Sequence, residues 1–430
     1  MKENKRNKRI VILGAGLTGL VAAHFIGRIK EKPFILEKKS VPGGLCRTEE
    51  KDGFLFDRTG HLLHFKDEKS RWKNFIINEM KVPLKEHRRR AYIHILGRLI
   101  PYPFQYHLSF LDASEKKKCV VDFLKASKTY KMPSSGAEER RNFYDWARQS
   151  FGERMFRLFF LPYNNKLWKY SLKKMSTLWM GRFVPLPSLE KIIRGAENRD
   201  PSQNAGYNAS FYYPSNGGIG TLVESLAKEK NIIFNSDISL IDHAEKKIYF
   251  EGGNIAYDIL ISTIPLPVLL GYFKKSPIME LADKLKWTGV YNVNLVIKKD
   301  FSKLGHWIYF PHGKIPFYRI GFFSNFSPVP ENYSSVYVET SYTGRAGKPK
   351  LASILKFLKL DEEKIHIQKN FDIPFAYVIY DKNRELLLPE IFDFFKNNGI
   401  ISTGRFGGWK YSTMEEAMQD GFDAAEFALK

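Results

Sequence analysis

The eight residues GRFGGWKY, Gly404 to Tyr411, gather Arg405, Lys410, three aromatic rings and three glycines near the end of the chain. A guanidinium offers planar, paired N–H donors that match phosphate or carboxylate oxygens, and glycine removes the Cβ that would hold a ligand off the backbone. Residues of these types at this density suit an anionic, flat molecule held against the main chain. A second ligand-directed pattern lies at the other end. Gly14, Gly16 and Gly19 form G-x-G-x-x-G in RIVILGAGLTGLVAAHFIGRI. The first glycine permits a tight strand-to-helix turn, the second lets a pyrophosphate approach, and the third lets helix and strand pack closely. The N–H groups that open the helix then face the anion. Glu37 ends the next strand-like run, PFILE, 23 residues after Gly14, where its carboxylate can accept from a ribose hydroxyl. Together these residues predict a dinucleotide site. Gly43-Gly44 in VPGGLCRT offers a further close approach to an extended cofactor.

Other chemistries are poorly provided for. The ten histidines and two cysteines show no paired metal-ligand spacing, so no metal is expected. No G-x-S-x-G or Cys/His nucleophile arrangement competes. Cys46 and Cys119 alone build no disulfide framework and fit a reducing cytoplasm. The formal charge of +22 is spread through every segment without a recognisable nucleic-acid module, so no nucleic-acid partner is expected. A positive field of that size would instead gather small anionic substrates. The basic-then-apolar N-terminus mimics a secretion signal, yet it carries three spaced glycines and His24 and lacks a small-residue cleavage site. No other apolar run approaches the ~20 residues of a membrane helix, and no membrane span is expected.

These residues need elements to hold them. Ile10 to Leu13 reads as a strand and Leu17 to Ile26 as a helix, the start of a βαβ unit. The stretch 76–185 reads as helical and aromatic, with NFYDWARQSFGERMFRLFF apolar at helical spacing. SNGGIGTLVESLAKE gives a glycine turn and helix, followed by alternating strand-like runs to about residue 264. VYNVNLVIKK, HWIYFP, FYRIGFFSNF and SVYVETSY read as a separate sheet, and GIISTGRFG as a buried strand and turn before a helix from Met414 to Leu429. The expected class is α/β. A discontinuous Rossmann-type nucleotide domain comprises 1–75, 186–275 and 385–430, with an inserted helical domain (76–185) and an inserted antiparallel-sheet domain (276–384). At 430 residues, two or three packed units are expected.

VPGGLCRT after Glu37 resembles the FAD-binding start of a superfamily that includes amine oxidases, protoporphyrinogen oxidases and UDP-galactopyranose mutases. That resemblance selects FAD. Along nearly the whole chain the ordered segments are similar to the UDP-galactopyranose mutase family, nearer its eukaryotic-type branch. The resemblance implies a mutase that interconverts UDP-galactopyranose and UDP-galactofuranose, or a close sugar nucleotide, through a covalent adduct on N5 of reduced flavin. NADPH or NADH is the candidate reductant, and a homo-oligomer the candidate assembly. The alternative on the same scaffold is an oxidoreductase of the amine oxidase, protoporphyrinogen oxidase or desaturase type. TGHLLHF resembles the loop whose His61 lies against the flavin. By the same resemblance, Tyr102 and Gln105 in IPYPFQ contact uridine, and Tyr163, Asn164 and Trp168 in PYNNKLW lie near nucleotide and sugar. Arg182 in WMGRFVP sits near flavin and sugar, and Asn208 in NASFYYPSNGG contacts substrate. Arg319 and Arg405 would clamp the diphosphate, with Tyr309, Tyr377 and Tyr411 around it. To the cofactor the resemblance further assigns Leu17, Thr18, Lys38, Leu45, Gly60, Leu62, Ile238, Gly404, Arg405 and Met414, beside Gly14, Gly16, Gly19, Glu37 and Gly44. The chain departs from the family pattern at Phe326, Val378 and Thr413.

Overall fold

A computed structural model describes residues 8–129, 142–180, 183–184, 186, 188–198, 209–274, 276–347 and 349–430. Strand Ile10–Leu13 is buried at all four positions, as a parallel strand covered on both faces must be. It pairs in parallel with Phe34–Leu36 on one side and Ile259–Ser262 on the other. Asn231–Ile233 and Ile400–Ser402 complete a five-stranded parallel sheet at its two edges. The strands come from three distant stretches of chain, so the sheet closes only when all three are present.

Helix Leu17–Ile26 is buried on nearly every side. Gly19 explains how it lies so near the sheet: a Cβ there would fall 2.1 Å from the Gly14 carbonyl oxygen. Helix Met414–Leu429 covers its outer side. A Cβ on Gly421 would fall 2.4 Å from the Thr18 carbonyl oxygen, and the Thr18 hydroxyl donates to the Ala417 carbonyl at 3.0 Å. Thr413 caps that helix and forms a capping box with Glu416. This gives the departure at Thr413 a local structural role.

The second large sheet has seven strands, in the order Ile365–Val378, Trp287–Ile297, Ser334–Tyr342, Arg319–Phe322, Trp307–Tyr309, Ala91–Ile95, Arg98–Pro101. Its pairings are antiparallel except that Trp307–Tyr309 runs parallel to Ala91–Ile95. The sheet thus recruits two strands from a stretch expected to be helical. Ala91, Ile93 and Ile95 are buried while Tyr92 and His94 are half-buried, the period-two pattern of a strand. Leu84–Arg88 is extended too and pairs with Ser210–Pro214. The rest of the expected helical stretch holds Ala113–Thr129, Phe143–Phe151 and Leu161–Trp168. Val378, another departure, is a buried core residue at the end of its strand. Phe326 packs its ring 5.0 Å from Tyr213 and 5.6 Å from Phe211. No helix among the described residues is long and apolar enough to cross a membrane, and no metal-ligand cluster occurs among them.

Candidate active site

The two sheets meet along a cavity of about 560 Å³. At one end lies the glycine loop. Gly14 adopts φ +95°, a left-handed conformation that suits glycine, and joins strand to helix. Gly16 faces open space, with nothing within 4 Å of where its Cβ would stand. Leu17, Thr18, Gly44 and Leu45 line the same end, and Met414 reaches it from the C-terminal helix. Glu37 is also there, accepting from the backbone N–H of Ala15 at 2.8 Å and of Lys39 at 2.9 Å. Its carboxylate therefore braces the glycine loop and keeps further lone pairs for a ligand hydroxyl.

Farther along, Gly60, His61 and Leu62 form one wall. His61 Nδ1 is buried with no hydrogen-bond partner among the described residues. Burial, and then the charge of Arg405, lower its pKa to about 4, so the ring is neutral at pH 7. Tyr163, Tyr309, Tyr377 and Tyr411 line the far end together with Arg319 and Arg405. Burial holds the Tyr163 and Tyr309 phenols above their ordinary range and pushes Tyr377 up to about 12, so all three are protonated donors.

The two arginines arrive in different electrostatic states. Arg405 donates to the Ser412 carbonyl at 2.7 Å and the Ala376 carbonyl at 3.0 Å, and lies 4.7 Å from the Tyr411 ring centroid. It forms no ion pair among the described residues. Its charge is left for the cavity, while two carbonyls fix its plane. Gly404, just before it, adopts φ +79° and would press a Cβ to 2.7 Å from the Thr18 hydroxyl. Gly404 thus tucks under the glycine helix rather than lining the cavity. Arg319 instead forms a bidentate pair with Glu339, Nε to Oε2 at 2.6 Å and Nη2 to Oε1 at 2.9 Å. Glu339 is fully buried and also accepts from the Thr59 hydroxyl. Burial raises its pKa, but the Arg319 charge and the hydrogen bonds from Arg319 and Thr59 outweigh that and hold it below the usual range. Arg319 Nη1 has no protein partner among the described residues and is left for a ligand. The expected two-arginine clamp is therefore one free guanidinium and one already neutralised.

Several expected contacts do not meet the cavity. Asn164 and Trp168 satisfy one another: the indole N–H donates to Asn164 Oδ1 at 3.0 Å, and Asn164 Nδ2 donates to the Phe160 carbonyl at 2.7 Å. Both are buried core residues. Their spacing of four on one helix brings them together. Gln105 is buried outside the lining, and Tyr102 stands behind it with its ring 5.3 Å from Tyr309. Lys38 pairs with Asp237 at 2.8 Å, and Ile238 follows on an edge strand away from the lining. Gly19 sits below the loop, in the helix–sheet contact. Arg182 and Asn208 lie outside the described residues. Conversely, Thr59, Glu339, Tyr318 and Tyr337 were not foreseen. A lone carboxylate inside the apolar run SSVYVETSY was the available signal for Glu339.

The profile of the Flavin containing amine oxidoreductase family matches residues 17–426. The crystal structure of a reduced UDP-galactopyranose mutase is similar, with TM-score 0.90 and 27% identity over 98% of this chain and 96% of that one. Putrescine oxidase bound to putrescine is similar at TM-score 0.67 and 14% identity, covering 98% and 99% of the two chains, a likeness of fold. A coproporphyrinogen III oxidase of Bacillus subtilis is 22% identical over 334 residues, 70% of this chain and 68% of that protein.

Proposed function

We propose that this chain, which belongs to the Flavin containing amine oxidoreductase family, binds FAD and interconverts UDP-galactopyranose and UDP-galactofuranose or a closely related sugar nucleotide. The observation that carries this reading is Arg405, a guanidinium without a carboxylate partner among the described residues, facing the cavity beside Arg319 and four tyrosines. An oxidase acting on an amine has no need of an anion clamp at that point.

The residues present fit FAD. The open space at Gly16 suits a pyrophosphate, Glu37 has lone pairs for a ribose hydroxyl, and the cavity-lining ring of His61 keeps its Nδ1 without a partner among the described residues. When bound and reduced, with NADPH or NADH as donor, the flavin would supply the nucleophile for the anomeric carbon. The chain's own part is electrostatic. Arg405 stabilises the negative charge that grows on the departing diphosphate, and its fixed plane spares reorganisation. Arg319 contributes Nη1 as a directed donor, with little net charge. The phenols of Tyr309, Tyr377 and Tyr163 stay protonated and hydrogen-bond to sugar and phosphate oxygens. Neutral His61 can accept or donate without adding a cation beside the ring.

The test is to incubate reduced, flavin-loaded protein with UDP-galactofuranose and separate the sugar nucleotides. We expect UDP-galactopyranose, with no stoichiometric consumption of reductant. Arg405→Ala should keep its flavin and lose both UDP affinity and turnover. The family membership and the B. subtilis relative favour a second reading, oxidation of an organic substrate by oxygen. Hydrogen peroxide formed in proportion to product, with no interconversion of sugar nucleotides, would select it.

A further inference from the structure

Lys166 is a buried lysine without a carboxylate partner among the described residues. It lies on helix Leu161–Trp168, one turn after Tyr163. Its Nζ lies 2.7 Å from the carbonyl oxygens of Phe310 and His312, 2.8 Å from that of Ile315 and 3.2 Å from that of Phe317, so its three N–H groups are shared among four acceptors. All four belong to the connection between strand Trp307–Tyr309 and strand Arg319–Phe322. Tyr309 and Arg319, both cavity residues, are thus the last residue before this connection and the first residue of the strand after it. A ring of carbonyl oxygens that replaces hydration is how proteins hold a dehydrated monovalent cation. Here the cation is tethered to a helix.

We propose that Lys166 is a positioning residue for the anion site: its ammonium takes the place of a bound monovalent cation, gathering the 310–317 connection so that Tyr309 and Arg319 meet Tyr163. The proposal rests on the site reading given above. Geometry supports it on both sides of the clasp. The Tyr163 ring stands 5.4 Å from Tyr309 and 6.3 Å from Tyr318, and the Phe310 and Phe317 rings pack 4.9 Å apart beneath the connection. Burial and the nearby Lys169 pull the Lys166 pKa down to about 7, while four carbonyl dipoles favour the charged form. A simple apolar residue would pack in this core more cheaply than a cation. Its presence is explained if the carbonyl geometry matters.

The experiment uses flavin-loaded wild type, Lys166→Met and Lys166→Ala, with calorimetric UDP titration and thermal melting. Lys166→Ala leaves a space shaped for n-propylammonium, the deleted part of the side chain. We expect both variants to retain flavin and to bind UDP about tenfold more weakly or worse, the scale of about 1.4 kcal/mol. Added n-propylammonium should restore the UDP affinity of Lys166→Ala, whereas sodium chloride and n-propanol at equal concentration should not. Wild-type UDP affinity in both variants overturns the proposal and leaves the mutase reading intact. Amine that restores the melting temperature but not UDP affinity also overturns it, since Lys166 would then act on stability alone. So does failure of both variants to fold even with amine present. A wild type that binds no UDP overturns the function reading and this proposal together.

Discussion

Replacing Glu339 by glutamine keeps the shape of the side chain and removes the charge that neutralises Arg319. The pair is bidentate and Glu339 is fully buried, so the substitution strands a guanidinium that is only slightly open to the cavity. Removing one member of a buried pair costs about 3–5 kcal/mol, and the remaining amide oxygen, still able to accept one N–H, places this case near the lower bound. Ligand binding should move the other way. At an effective dielectric of about 20, a carboxylate about 8 Å from a phosphate charge opposes it by roughly 2 kcal/mol. Lifting that opposition predicts UDP affinity about 30-fold tighter. The assay pairs urea denaturation of the flavin-loaded protein with calorimetric UDP titration, comparing Glu339→Gln with wild type. A less stable protein that grips UDP more tightly is the expected signature. A Glu339→Gln variant with normal flavin content and unchanged or weaker UDP binding would refute the reasoning, because Arg319 would then not face the bound anion.

Gly16→Val should give colourless protein, because its side chain would fill the open space at the pyrophosphate position; full absorbance at flavin wavelengths in the purified variant would count against that placement. Gly19→Ala should fold poorly or melt well below wild type, since its Cβ would meet the Gly14 carbonyl oxygen at 2.1 Å; an unchanged melting temperature would show that helix and sheet can separate freely. Burial, with Arg90 and His87 next, lowers the pKa of His306 to about 3, and its Nδ1 accepts the Arg90 backbone N–H at 3.0 Å. An unfolded histidine protonates near about 6.5 while this one does not, so stability should be intact above about pH 6.5 and fall as pH drops toward 3. His306→Asn, which keeps an acceptor, should flatten that slope in denaturation midpoints measured at several pH values; identical slopes would exclude His306 as its source.

The glycine loop was legible because its signal is local. Strand, turn and helix follow within Ile10–Ile26, and Glu37 closes the next strand. Helix Met414–Leu429 was legible for the same reason, as a local helical stretch after a buried strand and turn. Strands Ala91–Ile95 and Arg98–Pro101 were missed although Ala91, Ile93 and Ile95 alternate as a strand should and the two pair with each other as a local hairpin. Only the pairing that joins Ala91–Ile95 to the large sheet is remote, through Trp307–Tyr309. The Arg319–Glu339 pair is a matter of register, because the two residues stand opposite one another on adjacent antiparallel strands. Nothing in either residue's own surroundings in sequence specifies that meeting. Asn164 and Trp168 show the reverse case. Their helical spacing was visible, but it signals a side-chain hydrogen bond within the core as readily as a pocket wall.

Helix Met414–Leu429 and strand Ile400–Ser402 have a consequence for how the protein is made. The apolar helix Leu17–Ile26 is buried on one flank by residues about four hundred positions later, through Gly421 against Thr18. At about 5–20 residues per second, a ribosome needs roughly 20–80 s to deliver them. Until then the nascent chain leaves Val21 on that flank uncovered, and once residue 262 has been made it also carries an unpaired edge of Ile259–Ser262. The order of synthesis therefore runs opposite to the order of need: a segment translated well before its partners is among the last to be covered. Chaperones that hold apolar nascent segments should engage Leu17–Ile26 until Met414–Leu429 emerges, and ribosome-bound chains stopped before residue 400 should be open to protease at Leu17–Ile26 while released chains that carry Met414–Leu429 resist it.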